Sequence, residues 1–308
     1  MADSIATTES RCHVRSISMP SRSHPTATNI EEELNRLRAL ESLSSTAQSG
    51  SPLKEESISV KLLGLVELYK CVEAFLQMPQ TQQTLVHHQL EGLVDELLEG
   101  SVTLLDIGGT TKDILLVMKE NVLDLHSALR RRKFEEMLGN KIATYISLKK
   151  RVKKDVSSCL KMLKRLEEKC VACPLLHLDH DSAMVVRVLR EVSSIAISVF
   201  RVILSFLSTP MSKPMVGRWN LVSKLMHRGV VACDRHEESM NEVESVDFVL
   251  FTLSRCNPSK DAEVESSQMA EKRLKDLEVS LESLEEGLDF LFRRLIQARV
   301  SLLNILTS

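Results

Sequence analysis

The stretch Leu104–Leu116, LLDIGGTTKDILL, decides how this chain folds. As a loop, Asp106-Ile107-Gly108-Gly109-Thr110 has the look of a nucleotide phosphate loop. Such a loop needs a strand on each side, so that the backbone can turn sharply and aim its N–H groups at an anion. As a helix, the same residues are part of a longer apolar stripe. Steps of four and three from Leu90 reach Val94, Leu97, Ser101, Leu104, Gly108, Thr111, Leu115, Met118, Val122, Leu125 and Leu129. Most of these are apolar, and the helical phase runs through the glycine pair without a shift. Both flanks are therefore helical, and the loop reading lacks its strands.

The loop pattern resembles that of sugar kinases and their actin-like relatives. Those enzymes need further glycine-rich loops, yet after Gly109 only Gly139, Gly217, Gly229 and Gly287 remain. An ATP-dependent, kinase-like activity is the weakest of the functional readings. The sequence points to a chain with no enzymatic activity and no cofactor. A Gly in a helix interior costs about 1 kcal/mol relative to Ala. The pair then serves either the close approach of a neighbouring helix or a tight turn between two helices, and both readings stay open at this point.

Outward from this stretch, the 308 residues are 43% hydrophobic but only 4% aromatic, with ten Gly and eight Pro placed mostly near segment ends. That composition favours long helices over sheet. No alternating segment long enough for a strand appears. The expected fold is all-α, an elongated multi-helix bundle with a disordered N-terminal arm. The expected divisions are an arm over 1–29, a short helix and linker over 30–56 and the bundle over 57–308. Helices are expected over Ile30–Leu43, Ile58–Met78, Phe134–Lys169, Ser182–Leu207, Arg218–Arg235, Glu238–Cys256 and Ala262–Leu306. Gln80–Arg132 holds the stripe described above.

The net charge of −2 gives no global attraction to nucleic acid, and none is expected as a partner. Seven scattered cysteines read as reduced thiols of an intracellular protein. Cytoplasmic localisation follows, with membrane association or a plastid as alternatives. The Ser- and Arg-containing N-terminus is transit-like, but Asp3 and Glu9 oppose that. The apolar run Met184–Leu207 contains Arg187, Arg190, Glu191 and Arg201. Each charge near a bilayer centre costs about 2.5–3.5 kcal/mol, so the run reads as a buried helix and no transmembrane span is expected.

Cys170, Cys173, His177 and His180 are zinc-ligand types, but their spacing is too tight for a hairpin and helix to wrap a metal, and the stretch reads as an ordinary loop. Charge is unevenly placed. Arg130–Lys169 has fourteen Lys or Arg and five acids, while Asp234–Asp289 has sixteen acids and six bases. The clusters Arg130, Arg131, Arg132, Lys133 and Lys149, Lys150, Arg151 form a candidate basic patch for anionic lipid, as in peripheral contact with a membrane, or for nucleic acid. The competing and favoured reading lays the basic helix on the acidic half of the chain or makes it simply a solvated face. The last helix carries an unbroken 3,4 series from Leu274 to Ile305, and Leu281, Leu284, Leu288 and Leu291 are its candidate packing seam.

Four stretches carry a family resemblance: R-S-x-S-M-P-S-R-S-H-P from Arg15, LLGLVELYKCVEAFLQMPQTQQTL from Leu62, VDELLEGSVTLLDIGGTTKDILLVMKENVLDLHSALRRRK from Val94, and LESLEEGLDFLFRRLIQARVSLLNIL from Leu281. Together they resemble the plant-specific BYPASS-related family. The resemblance implies a plant intracellular, all-helical protein associated with root and shoot development, with no catalytic residues to carry over. Gly108-Gly109 departs from the family pattern, which favours other small residues there. Finally, Arg15, Ser16, Ser18 and Pro20 fit R-S-x-S-x-P, the docking pattern for 14-3-3 proteins once Ser18 is phosphorylated. The added phosphate charge is what partner arginines grip.

Overall fold

The computed structural model describes residues 25–46, 54–86, 90–131, 135–171, 179–209, 240–255 and 260–307, and all of its regular elements are helices. In chain order these are α1 (Pro25–Thr46), α2 (Glu55–Leu76), α3 (Pro79–Leu85), α4 (Glu91–Arg130), α5 (Glu135–Val171), α6 (His180–Leu207), α7 (Glu242–Arg255) and α8 (Lys260–Thr307). The helix expected over Arg218–Arg235 lies outside the described residues.

Local chemistry explains where these helices begin and end. α1 starts at Pro25, earlier than the apolar spacing from Ile30 suggests, because proline suits a first helical position where no N–H partner is needed. α2 stops short of Pro79, which opens α3 after an extended Met78. α6 starts at His180 because the Asp179 side chain accepts from the Ser182 N–H at 3.2 Å. Hydrogen bonds from the Ser182 side chain and, next, from its backbone N–H hold the Asp179 carboxyl below its usual range. α7 begins with a reciprocal pair. Asn241 Oδ1 accepts from the Glu244 N–H at 2.8 Å, and Glu244 Oε2 accepts from the Asn241 N–H at 3.2 Å. This places its start at Glu242 and not at Glu238.

α8 is the spine. Its apolar series from Leu274 through Ile305 is buried, and it packs against α4 on one side and α2 on the other. Lys112–Asp289 and Ser101–Arg299 contacts set α4 antiparallel to α8. Ser59–Ser283 and Glu73–Arg294 contacts set α2 parallel to it. At Gly287 an added Cβ would lie 2.6 Å from Leu62 Cδ2, so glycine is what lets α2 approach α8 this closely. α5 packs on α4 and α6, and α1 on α2 and α6. Ile30, Leu34 and Leu37 of α1 lie in the same core as the leucines of α8.

Among the described residues no helix is long and apolar enough to cross a membrane. Three charges within α6 meet partners on other helices: Arg187 pairs with Glu31 at 2.5 Å, Glu191 with Arg38, and Arg201 with Glu167 at 2.8 Å.

Candidate functional site

LLDIGGTTKDILL lies within the 40-residue helix α4. Each group that a phosphate loop would use is engaged as a helix residue. Thr110 Oγ1 donates to Asp106 O at 3.0 Å and Thr111 Oγ1 to Ile107 O at 2.7 Å, each one turn back. Lys112 Nζ reaches Asp289 Oδ1 at 2.5 Å. The two glycines differ. A Cβ on Gly108 would lie 3.3 Å from Phe292 Cδ2 and 3.6 Å from Phe200 Cζ, whereas one on Gly109 would meet nothing within 4 Å. Of the two readings of the pair, the structure selects close approach: Gly108 accommodates rings from α8 and α6, and no turn is made.

The outward faces of α4 and α5 both carry cations but in different company. Along α4, Lys112 faces Asp289, Lys119 faces Glu285 at 3.0 Å and Glu282 at 3.4 Å, and His126 Nδ1 lies 3.9 Å from Glu278. The Glu285 hydrogen bond, ahead of opposing desolvation, raises the Lys119 pKa. The acids of α8 therefore pair with the outward lysines of α4. On α5, Lys150, Lys153, Lys154, Lys161 and Arg165 are exposed and meet no carboxylate within ion-pairing distance among the described residues. Arg151 and Lys164 have only helical neighbours, Asp155 and Glu168, each at 3.8 Å. Lys169 leaves the row to pair with Glu99 at 2.8 Å.

The candidate basic residues are thus separated. Arg130 and Arg131 are exposed, Arg132 and Lys133 fall outside the residues whose side chains are described, and Lys150 and Arg151 are exposed. Lys149 is buried and belongs to no surface patch. One residue along a helix turns a side chain by about 100°, which carries Lys149 from the outer row of Lys150 to the core side.

There Lys149 Nζ lies 3.3 Å from Asp247 Oδ2 on α7 and 3.3 Å from the Thr209 carbonyl oxygen. Tyr145, one turn earlier on α5, donates its hydroxyl to Asp247 Oδ1 at 2.9 Å. Asn241 Nδ2 donates to Thr209 Oγ1 at 3.0 Å, joining the chain just after α6 to the chain just before α7. Burial lowers the Lys149 pKa and raises those of Asp247 and Tyr145, while the attraction between Lys149 and Asp247 opposes the first two shifts. This network pins α7 to α5. It was not singled out from the sequence, although an acid at Asp247 inside the apolar run Val246–Leu250 was a signal available there.

Leu281, Leu284, Leu288 and Leu291 are each at most 1% exposed. Farther along α8, Ile296, Val300 and Leu303 stand outward, four and seven residues after the first, with 44%, 48% and 38% exposure. The Ser101–Arg299 contact puts the exposed Val102 of α4 level with them. No group of three or more His, Cys, Asp or Glu side chains able to hold a metal occurs among the described residues. Of the C-x2-C-x3-H-x2-H stretch, Cys173 and His177 lie outside them, as do Arg15, Ser16, Ser18 and Pro20.

A family model described as Protein BPS1 matches residues 61–305, and the chain belongs to this BYPASS-related family. No curated protein and no solved structure matches the chain.

Proposed function

We propose that this member of the BPS1 family is a non-enzymatic interaction protein acting in plant root and shoot development. The developmental setting comes from the family. The observation that carries the interaction reading is the outward ladder Ile296, Val300 and Leu303 on α8, beside Val102 of α4. Apolar side chains at this spacing are the anchors by which a helix meets a partner helix or groove. They sit on the outer side of a helix whose opposite face is the core, so they contribute nothing to that core.

The second element is the N-terminal arm. Phosphorylation of Ser18, within Arg15, Ser16, Ser18 and Pro20, would create a 14-3-3 docking site through charge-assisted hydrogen bonds to partner arginines. A pull-down with the phosphorylated, unmodified and Ser18→Ala arms tests it. Recovery only with the phosphorylated arm supports the site, and equal recovery from all three ends it.

The ladder is tested by complementation of a plant line lacking the gene. The variant Ile296→Asp/Val300→Asp/Leu303→Asp should keep its helical circular dichroism and melting temperature yet fail to restore root and shoot growth. Full restoration by a folded variant would remove the ladder from the function.

A further inference from the structure

The formal charge of the whole chain conceals a row of cations that no acid among the described residues of other helices reaches. From Lys150 to Arg165 the sequence KRVKKDVSSCLKMLKR has seven bases and one acid. α5 turns Tyr145, Val152, Val156, Cys159 and Leu163 into the core. Opposite them, Lys150, Lys154, Lys161 and Arg165 fall on one line by helical periodicity, a row about 22 Å long. Lys153 and Lys164 flank it. Of the two forms of the favoured reading, the described residues show the solvated face: Asp289, Glu285, Glu282 and Glu278 of α8 are taken by Lys112, Lys119 and His126 of α4 and do not cover this row. Asp247 of α7 reaches α5, with Glu244 acting on it from farther away, but both face the buried Lys149, not the outer row.

We propose that the outer face of α5 docks the protein on an anionic phospholipid surface. Three features select a membrane among anionic partners. The row is straight, and a planar charged surface can meet all of it at once. Lysines dominate it, and the compact, hydrated ammonium is attracted to diffuse surface charge without the planar fork that arginine offers a single phosphate. The stretch contains no aromatic residue to stack on a base and no Asn or Gln to read base edges, so it lacks the means of recognising nucleic acid beyond charge. No large apolar side chain is exposed between Lys150 and Arg165. The contact therefore rests on charge alone, lies on the surface without insertion, and is reversed by salt.

The test is co-sedimentation of the full-length protein with vesicles of phosphatidylcholine alone, with about 30% phosphatidylserine, and with phosphatidylinositol bisphosphate at matched surface charge, at about 0.05 and 0.5 M salt. Binding is expected to both anionic vesicles equally, to fall away at the higher salt, and to be absent on phosphatidylcholine. Each removed cation should weaken binding roughly fivefold, so K150Q/K154Q/K161Q/R165Q should weaken it a hundredfold or more. These side chains are exposed and meet no carboxylate among the described residues, so that variant should melt like the parent. K150R/K154R/K161R, which keeps the charge, should bind like the parent. Equal sedimentation with neutral vesicles, full binding by the neutralised variant, or binding confined to the bisphosphate lipid would overturn the proposal. So would tighter binding to a short DNA duplex at the same ionic strength.

Discussion

Helices α4 and α5 run side by side, both carry lysines outward, and they meet opposite fates. Lys112 and Lys119 of α4 look across a seam at the carboxylates of α8. Lys150, Lys154 and Lys161 of α5 look at solvent. The difference is not in the side chains but in which neighbour each helix receives. α8, with most of the acidic block, packs on α4 and α2, and α5 receives α6, whose Arg187, Glu191 and Arg201 are already paired. Near-neutral totals therefore say little about local charge. Among the described residues, a basic block and an acidic block of similar size cancel in the sum while meeting in space only at the buried Lys149–Asp247 pair.

The contrast depends first on the seam that brings α8 to α4. Leu288 is 1% exposed at its centre. Leu288→Ala should cost about 2–5 kcal/mol, and Leu288→Asp should prevent stable folding, because a charge would enter an apolar layer. Urea denaturation measures both. If Leu288→Asp melts like the parent, α8 does not hold α4 in the manner described and the pairing argument falls with it.

The next largest effect lies at the inner side of α5. Asp247→Asn leaves the Lys149 ammonium buried without its counter-charge and should cost about 3–5 kcal/mol. The loss should depend on pH. Burial already places the folded-state pKa of Lys149 below its ordinary 10.5, and removal of Asp247 lowers it further. Between that lowered value and 10.5 the unfolded chain binds more protons than the folded one, so stability rises with pH across this window. Asp247→Asn should thus recover stability relative to the parent as pH is raised toward 10.5. A constant deficit over that range would show that Lys149 is not the group left stranded.

The glycine pair should give a smaller response, of opposite sign. Gly109→Ala adds a methyl where nothing lies within 4 Å, and should stabilise by about 0.5–1 kcal/mol through helix propensity and the reduced freedom of the unfolded chain. Gly108→Ala gains the same propensity but presses on Phe292, so its net effect should lie below that of Gly109→Ala. Thermal denaturation of the two variants decides. Equal stabilisation would mean that the rings of α8 and α6 do not crowd Gly108. The smallest effect separates the two helices directly. Lys119→Met should cost about 0.2–1 kcal/mol at low salt and less at high salt, while Lys154→Met should cost nothing measurable at either.

Much of this architecture is legible from spacing alone. The phase through Leu104, Thr111, Leu115, Met118, Val122, Leu125 and Leu129 is local information, and all seven are buried in α4. The all-helical class follows from the same periodicity. What a single sequence does not carry is the pairing of distant elements. Lys149 and Lys150 are adjacent and chemically alike, yet one binds Asp247 nearly a hundred residues away and the other faces water. Gly108 and Gly109 are likewise indistinguishable until Phe292 and Phe200 arrive from other helices. The outward ladder of α8 was hidden for a related reason: Ile296, Val300 and Leu303 lie in a helix so rich in apolar residues that the inner series dominates the pattern.

Acetylation of lysines in the folded, full-length protein, followed residue by residue by mass spectrometry, tests the central contrast most directly. Reactivity follows the access and charge state of each amine. Lys150, Lys153, Lys154 and Lys161 should react fastest, Lys112 and Lys119 more slowly because carboxylates hold their ammonium groups, and Lys149 slowest of all. Protection of Lys154 and Lys161 to the level of Lys149 would mean that another part of the chain covers α5, and would contradict the account.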